Sequence, residues 1–222
     1  MKDNLIHLCF VIDESGSMSG SEGDILGGFK NLIDEQLKVE DGDCLVSVYR
    51  FNTVLSKDFI GKNVRQVETL SYSPVGLTAM NDGIGTAIDE IGAWLSSMPE
   101  DERPSKNMIV IMTDGYENAS REYDLSKVQK MIKHQKDKYN WSFVFLGSDI
   151  TDLKDADNLG VGMRSASGKA NIINNYGHIN AYASKLRLAK DYSDIMGAEM
   201  ELCSSLTADT ALYMNDKGAS NQ

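Results

Sequence analysis

Two segments with acidic and hydroxyl side chains directly follow apolar runs of the sequence. The first, Asp-Glu-Ser-Gly-Ser at residues 13–17, follows residues 6–12, and the second, Thr-Asp-Gly at residues 113–115, follows residues 108–112. Short unbroken apolar runs are typical of strands in a parallel sheet, which is covered on both faces. Open α/β sheets bind ligands beyond the carboxyl ends of their strands. We therefore expect both segments at one ligand-binding edge.

The side chains of these segments predict a site for a hard divalent cation. Right-handed crossovers can place the two strands side by side, which would bring Asp13 and Asp114 together. Two carboxylates in one crevice repel each other unless a cation lies between them or one is protonated. Ser15 and Ser17 add two hydroxyls, and an all-oxygen ligand set favours Mg²⁺. Because Mg²⁺ keeps several waters, some of these residues are expected to bind through water.

A third segment completes a pattern that resembles a known family. Gly-Leu-Thr at residues 76–78 precedes a helical pattern in the middle of the chain. In their order and spacing, the three segments resemble the metal-ion-dependent adhesion site of von Willebrand factor A domains, and the resemblance extends over residues 5–190. The chain also resembles the small stand-alone bacterial and phage members of that family.

The resemblance implies a role for each residue of the motif. Ser15 and Ser17 would coordinate the metal through their hydroxyls, and Thr78 would bind it directly or through water. Asp13 and Asp114 would act mainly through water and supply negative charge. The implied metal is Mg²⁺, with Mn²⁺ or Ca²⁺ as substitutes. A partner protein would complete the coordination with an Asp or Glu carboxylate, and an AAA-type ATPase is a further partner class that the resemblance suggests.

Alternating strand and helix patterns predict an α/β fold with a mainly parallel sheet. Strands are expected at residues 6–12, 44–51, 108–112 and 141–146, with an antiparallel edge strand at 54–60 and a short last strand within 160–175. Helical periodicity covers residues 25–37, 84–95, 125–132 and 182–189. The resemblance implies a Rossmann-like three-layer fold with helices on both faces. We assign residues 1–191 to this domain and 192–222 to a partly ordered C-terminal extension that is loose from residue 215.

Composition narrows the classes of partner. The 222 residues carry a net charge of −11, from 33 acidic and 22 basic side chains, and such a surface disfavours nucleic acid and anionic membranes. Cys9 and Cys44 lie in apolar runs and are expected as buried thiols, without any Cys-x-x-Cys pair that would indicate zinc. No signal peptide or membrane-spanning run is recognised, so the expected location is the cytoplasm.

Two functional classes remain open. A non-catalytic binding module is the first prediction. The alternative is a Mg²⁺-dependent hydrolase or phosphotransferase of the haloacid-dehalogenase kind, which also places an Asp after its first strand. That class needs a second aspartate two residues later, and Ser15 at this position cannot act as the general acid. A nucleotide-binding enzyme would need a glycine-rich phosphate loop after a strand, and none follows one here.

Several single residues also have simpler explanations. Thr78 could cap the helix that follows it, and Asp13 or Asp114 could be an ordinary turn residue. Glu117 and Asp149 follow strands that should end at the same edge, where they could contact the rim, whereas His7 lies in an apolar run and is expected in the core.

Overall fold

A twisted sheet with helices on both faces organises the chain. The structure is a computed structural model that describes residues 1–168 and 171–220. Within these residues, the strands are β1 (Lys2–Asp13), β2 (Asp43–Phe51), β3 (Leu55–Asn63), β4 (Pro104–Thr113), β5 (Ser142–Gly147) and β6 (Met163–Ala166). The α-helices are α1 (Glu22–Lys38), α2 (Met80–Ser97), α3 (Leu125–Tyr139), α4 (Leu153–Leu159), α5 (Ile172–Leu188) and α6 (Tyr192–Ser220).

The strand order is β3-β2-β1-β4-β5-β6. All neighbouring strands are parallel except β2 and β3, which form the predicted antiparallel hairpin at the edge. From β1 the chain builds outward to β3 on one side and, after α2, outward to β6 on the other. The order therefore reverses between β1 and β4, and the crevice at their carboxyl ends is where open α/β sheets bind ligands. The predicted fold class, including the adjacency of β1 and β4, is confirmed.

The apolar runs of the strands are continuous because both faces of the sheet are covered. Phe10 faces α1 and α5 and packs against Phe29, whereas Val11, the next residue of β1, faces α2 and packs in the core that contains Ile84. Successive side chains of a strand point to opposite faces of the sheet. A strand with one face in solvent therefore alternates apolar and polar residues, whereas a strand buried on both faces is apolar throughout. The two cores hold β1 and β4 rigidly, and with them the loops at their ends.

The thiols and the histidine of the first strands lie in these cores, as the sequence predicts. Cys9 and Cys44 are fully buried and free. His7 is buried beside Trp94, with its Nε2 2.7 Å from Ser47 Oγ. Burial lowers the pKa of His7 to about 3, so the ring is neutral.

The C-terminal segment forms one long helix. In α6 the residues Ala198, Leu202 and Leu206, spaced four apart, are buried against the sheet and α5. The helix runs through residues 215–220, where the sequence analysis expects a loose tail, and residues 221–222 lie outside the described part of the chain. The boundary at residue 191 stays a prediction. In the described residues, α6 included, no helix combines the length and apolar character needed to cross a membrane.

Candidate metal centre

The carboxylate of Asp13 is fixed at the end of β1. Its side chain is fully buried, with Oδ1 accepting a hydrogen bond from the Ser15 backbone N–H at 2.7 Å and Oδ2 accepting one from Thr113 Oγ1 at 2.6 Å. Burial raises the pKa of Asp13 above its ordinary value, and the nearby charge of Asp114 raises it further, while these hydrogen bonds act in the opposite direction. The end of β4 therefore helps to orient the acid at the end of β1.

A row of hydroxyls leads from this acid to the second one. Ser15 and Ser17 flank the start of a single helical turn, and their Oγ atoms lie 3.0 Å apart. Ser17 Oγ donates a hydrogen bond of 2.6 Å to Asp114 Oδ1. The turn is held from outside, because the Gly16 N–H donates to the Gly76 carbonyl at 3.0 Å. The loops after β1 and β4 thus meet through side-chain oxygens.

Gly115 shows where these oxygens converge. A Cβ at this position would lie 3.1 Å from both Ser17 Oγ and Thr78 Oγ1 and 3.6 Å from Asp13 Oδ2. Glycine therefore keeps a small space open between two hydroxyls and a carboxylate. The structure brings together the side chains that the sequence singled out: Asp13, Ser15, Ser17, Thr78 and Asp114.

The donor set fits a hard cation. Neighbouring ligands of octahedral Mg²⁺, each 2.0–2.1 Å from the ion, lie about 2.9 Å apart, and the oxygens of Ser15 and Ser17 are separated by 3.0 Å. Hydroxyl and carboxylate oxygens suit such a cation, whereas thiolate and imidazole favour zinc. Across residues 1–168 and 171–220, no group of three or more His, Cys, Asp or Glu side chains is placed to hold a metal. The oxygen donors that this site offers are hydroxyls and the carboxylates of two aspartates.

The loop after Asp114 caps α2. Glu117 Oε2 accepts a hydrogen bond from the Asn81 N–H at 2.8 Å, and Asn118 Oδ1 accepts one from the Thr78 N–H at 2.9 Å. The N-cap of α2 is Ala79, without a side-chain hydrogen bond. Thr78 consequently does not cap the helix with its hydroxyl, and Glu117 is bound to α2 instead of lining an open rim. Sequence reasoning missed this capping, although Glu and Asn are common partners of helix N-termini.

Glu14 stabilises the neighbouring loop and points away from the hydroxyl row. Its Oε1 accepts hydrogen bonds from Arg50 at 2.6 Å and from the Ser73 N–H at 2.8 Å. The hydroxyl of Tyr72 donates to the Asp13 carbonyl at 2.5 Å. These contacts fasten the segment that carries Thr78 to the end of β1.

Asp149 contacts the C-terminal helix. It forms an ion pair with Lys217, which lowers the pKa of the carboxyl group, and accepts a hydrogen bond of 3.3 Å from the Tyr213 hydroxyl. The expected place of Asp149 near the sheet edge is correct, but its partner is α6.

Comparisons with known proteins agree with this architecture. The family model of the von Willebrand factor type A domain matches residues 7–171. A search of curated protein sequences finds no significant match. Among solved structures, the chain is similar to the pilus adhesin SpaC from Lactobacillus rhamnosus GG in its open conformation (TM-score 0.63, 16% identity, 83% of this chain and 30% of that chain).

Two further solved structures have similar folds. One is the PilB minor pilin from Streptococcus sanguinis (TM-score 0.57, 16% identity, 81% of this chain and 61% of that chain). The other is proximal thread matrix protein 1 from the mussel byssus with a zinc-occupied MIDAS motif, the metal-ion-dependent adhesion site (TM-score 0.56, 17% identity, 83% of this chain and 47% of that chain).

At such identities these likenesses show the fold alone, and this chain spans less than two thirds of each of the three proteins. The family match is the stronger finding because it covers well over half of the chain and includes all three segments of the site. The chain therefore belongs to the von Willebrand factor type A domain family, and its strand order agrees with that assignment.

Proposed function

We propose that the chain is a non-catalytic, metal-dependent protein–protein interaction module. It binds an Asp or Glu carboxylate of a partner protein through Mg²⁺ held by five side chains: Asp13, Ser15, Ser17, Thr78 and Asp114. The observation that carries the proposal is the space beside Gly115, which is bounded by two hydroxyls and the buried carboxylate of Asp13. Mn²⁺ or Ca²⁺ could substitute in the same site.

Charge explains why such a site would recruit an acid. A buried carboxylate beside a second one is costly unless a cation neutralises the pair, and the two aspartates together match the charge of one divalent ion. The hydroxyls of Ser15, Ser17 and Thr78 add no negative charge. When bound, the ion supplies an electron-poor centre that favours an incoming carboxylate. Among the structures of similar fold, one with a zinc-occupied MIDAS motif supports a divalent metal, and a pilin and a pilus adhesin support a binding role.

No observation favours the hydrolase or phosphotransferase alternative. The second position after Asp13 is a serine whose Oγ lies 3.0 Å from Ser17 Oγ, so the general acid of that chemistry has no counterpart there. A cytoplasmic location and an AAA-type ATPase as partner stay predictions that follow from the sequence and the family resemblance.

The test is a calorimetric titration of Mg²⁺ and Mn²⁺ into metal-free protein. We expect one-site binding that is lost in Asp13→Ala and in the double variant Ser15→Ala/Ser17→Ala, because both remove ligands or the charge behind them. Ser19→Ala is the matched control, since this exposed hydroxyl follows the same turn and is no part of the site. Absence of binding by the wild-type chain at millimolar metal, or unchanged binding in both site variants, would refute the proposal.

A further inference from the structure

Large apolar side chains are exposed around the candidate metal centre. Val54, Val75, Leu77 and Tyr116 expose between 53% and 65% of their surface. They lie on the loop between β2 and β3, on the segment before α2 and on the loop after β4, all at the carboxyl edge of the sheet. Single exposed apolar residues need no explanation, but several of them around one site indicate an interaction surface.

Hydrogen bonds join the loop between β2 and β3 to the segment before α2. We call the exposed surface formed by Val54, Val75 and Leu77 the ledge. The Leu77 N–H donates to Thr53 Oγ1 at 2.9 Å, and the Ala79 N–H donates to the Asn52 carbonyl at 2.8 Å. Gly76 has φ of +83°, and a Cβ there would lie 2.6 Å from Thr53 Oγ1, so only glycine allows this close approach. The apolar side chains of Val54, Val75 and Leu77 are therefore presented by a fixed backbone.

Tyr116 lies on the other loop, next in sequence to a residue of the same centre. It follows Gly115, which touches the space between the hydroxyls, and the Asn118 N–H donates to the Thr78 carbonyl at 3.0 Å. Leu77 directly precedes Thr78 in the chain. Two exposed apolar side chains are thus each one residue away from positions that bound the candidate metal centre.

The charge of the molecule decides what the ledge can accept. The chain carries a net charge of −11, and the nearby guanidinium of Arg50 is already paired with Glu14 and Asp58. The two aspartates would already balance a divalent ion, so one incoming carboxylate would bind by direct coordination to the ion and further acids would gain no attraction. A segment with many carboxylates would be repelled, whereas one carboxylate with apolar neighbours would match both the ion and the ledge.

We propose that Val54, Val75, Leu77 and Tyr116 select the partner of the metal centre. The partner is a protein segment that presents a single Asp or Glu between apolar side chains, and not an acidic cluster. This inference rests on the proposed function. It adds which carboxylates are bound and which residues of this chain distinguish them.

The test compares three blocked heptapeptides that differ only beside the acid: Gly-Ser-Leu-Glu-Leu-Ser-Gly, Gly-Ser-Ser-Glu-Ser-Ser-Gly and Gly-Ser-Glu-Glu-Glu-Ser-Gly. Each is titrated into the full chain, followed by NMR, in millimolar MgCl₂ and again in EDTA. We expect the Leu-Glu-Leu peptide to bind about tenfold more tightly than either other peptide, and only with Mg²⁺.

The double variant Leu77→Asn/Tyr116→Ser should reduce this preference to about twofold or less while its calorimetric Mg²⁺ affinity is unchanged. The matched control is Leu188→Asn/Tyr139→Ser, two residues at helix ends of the opposite edge with exposed fractions of 52% and 59%. It should keep the full preference.

Three outcomes would overturn the inference. Mg²⁺-dependent binding of equal strength for all peptides, or tightest binding of the Glu-Glu-Glu peptide, would exclude apolar selection but leave carboxylate binding intact. Absence of Mg²⁺-dependent binding by every peptide would remove the proposed function together with the inference.

Discussion

The two edges of the sheet both bury charged groups, but they surround them differently. At the amino edge, the buried cations Lys106 and Arg187 are hydrogen-bonded to backbone carbonyls. At the carboxyl edge, the buried anion Asp13 is close to hydroxyls and to the second anion Asp114. At the amino edge the partners of the buried charges belong to the chain itself, whereas at the carboxyl edge two like charges lie close together and a cation would relieve their repulsion.

Helix C-termini explain the amino edge. Arg187 donates to the carbonyls of Gln36, Val39 and Gly42 at 2.6, 3.0 and 2.8 Å, where α1 ends and β2 begins. Lys106 Nζ donates to the Leu186 carbonyl at 2.6 Å, near the end of α5. The last carbonyls of a helix lack partners within it and carry partial negative charge, so a buried cation is stabilised there. A buried charge with such a set of partners has a structural role.

The largest expected effect is a loss of stability when a buried cation of the amino edge is removed. Arg187→Met should lower the free energy of unfolding by about 3 kcal/mol, because several buried carbonyls lose their donor at once. Urea denaturation measures the change, and Mg²⁺ affinity should stay as in the wild type. Lys185→Met is the control: its ion pair with Glu201 is exposed, so the change should be below about 0.5 kcal/mol. If Arg187→Met is as stable as the wild type, or has lost metal binding, the amino edge does not have a purely structural role.

The second prediction concerns a buried group that stays neutral. Burial lowers the pKa of His7 from 6.5 to about 3, so between these values the unfolded chain binds a proton that the folded chain does not. Stability from His7 is therefore full above pH 6.5 and is lost as the pH falls, by about 1.4 kcal/mol per pH unit or about 2 kcal/mol down to pH 5.

Urea denaturation at several pH values between 7 and 5 tests this prediction. His7→Gln should remove that part of the pH dependence, whereas the variant of an exposed histidine, His134→Gln, should keep it. If the slope is the same in His7→Gln and the wild type, neutral burial of His7 is not its source.

The smallest expected effect is a loss of Mg²⁺ affinity when the space at the carboxyl edge is partly filled. Gly115→Ala would place a Cβ 3.1 Å from Ser17 Oγ and Thr78 Oγ1, and this methyl group should reduce Mg²⁺ affinity by about tenfold, or 1.4 kcal/mol. Stability without metal should change little. Gly177→Ala in α5 meets nothing within 4 Å and serves as the control, with unchanged affinity. Equal calorimetric affinities for both variants would place the ion elsewhere.

Local sequence patterns predicted where most residues of the candidate site lie. Asp13 and Asp114 each follow an apolar strand directly, and in a parallel sheet the carboxyl ends of strands share one edge, so two local observations placed both acids on the same side. Gly115 and Thr78 belong to the same recognised motif. The metal role of these residues remains a proposal, but their proximity follows from strand ends that the sequence marks clearly.

Contacts between residues far apart in the chain could not be predicted from the sequence. Arg187 reaches the end of α1 across 151 positions of the chain, and no local pattern distinguishes it from a solvated lysine or arginine. Asp149 was expected after a strand that ends at the carboxyl edge, but its pairing with Lys217 depends on how α6 packs. The helix itself was underestimated because its buried stripe of Ala198, Leu202 and Leu206 is narrow and most of its other residues are polar or exposed.

The sequence by itself determined the alternation of strands and helices and the residues at the strand ends, because hydrophobic periodicity and turn residues act over a few positions. Only the tertiary structure decided how the loops meet: the space beside Gly115, the cap that Glu117 places on α2, the bond from Thr78 to Asn118, and the ledge that carries Leu77. Those features depend on side chains from distant segments that approach within hydrogen-bond distance, and a packed sheet sets that approach.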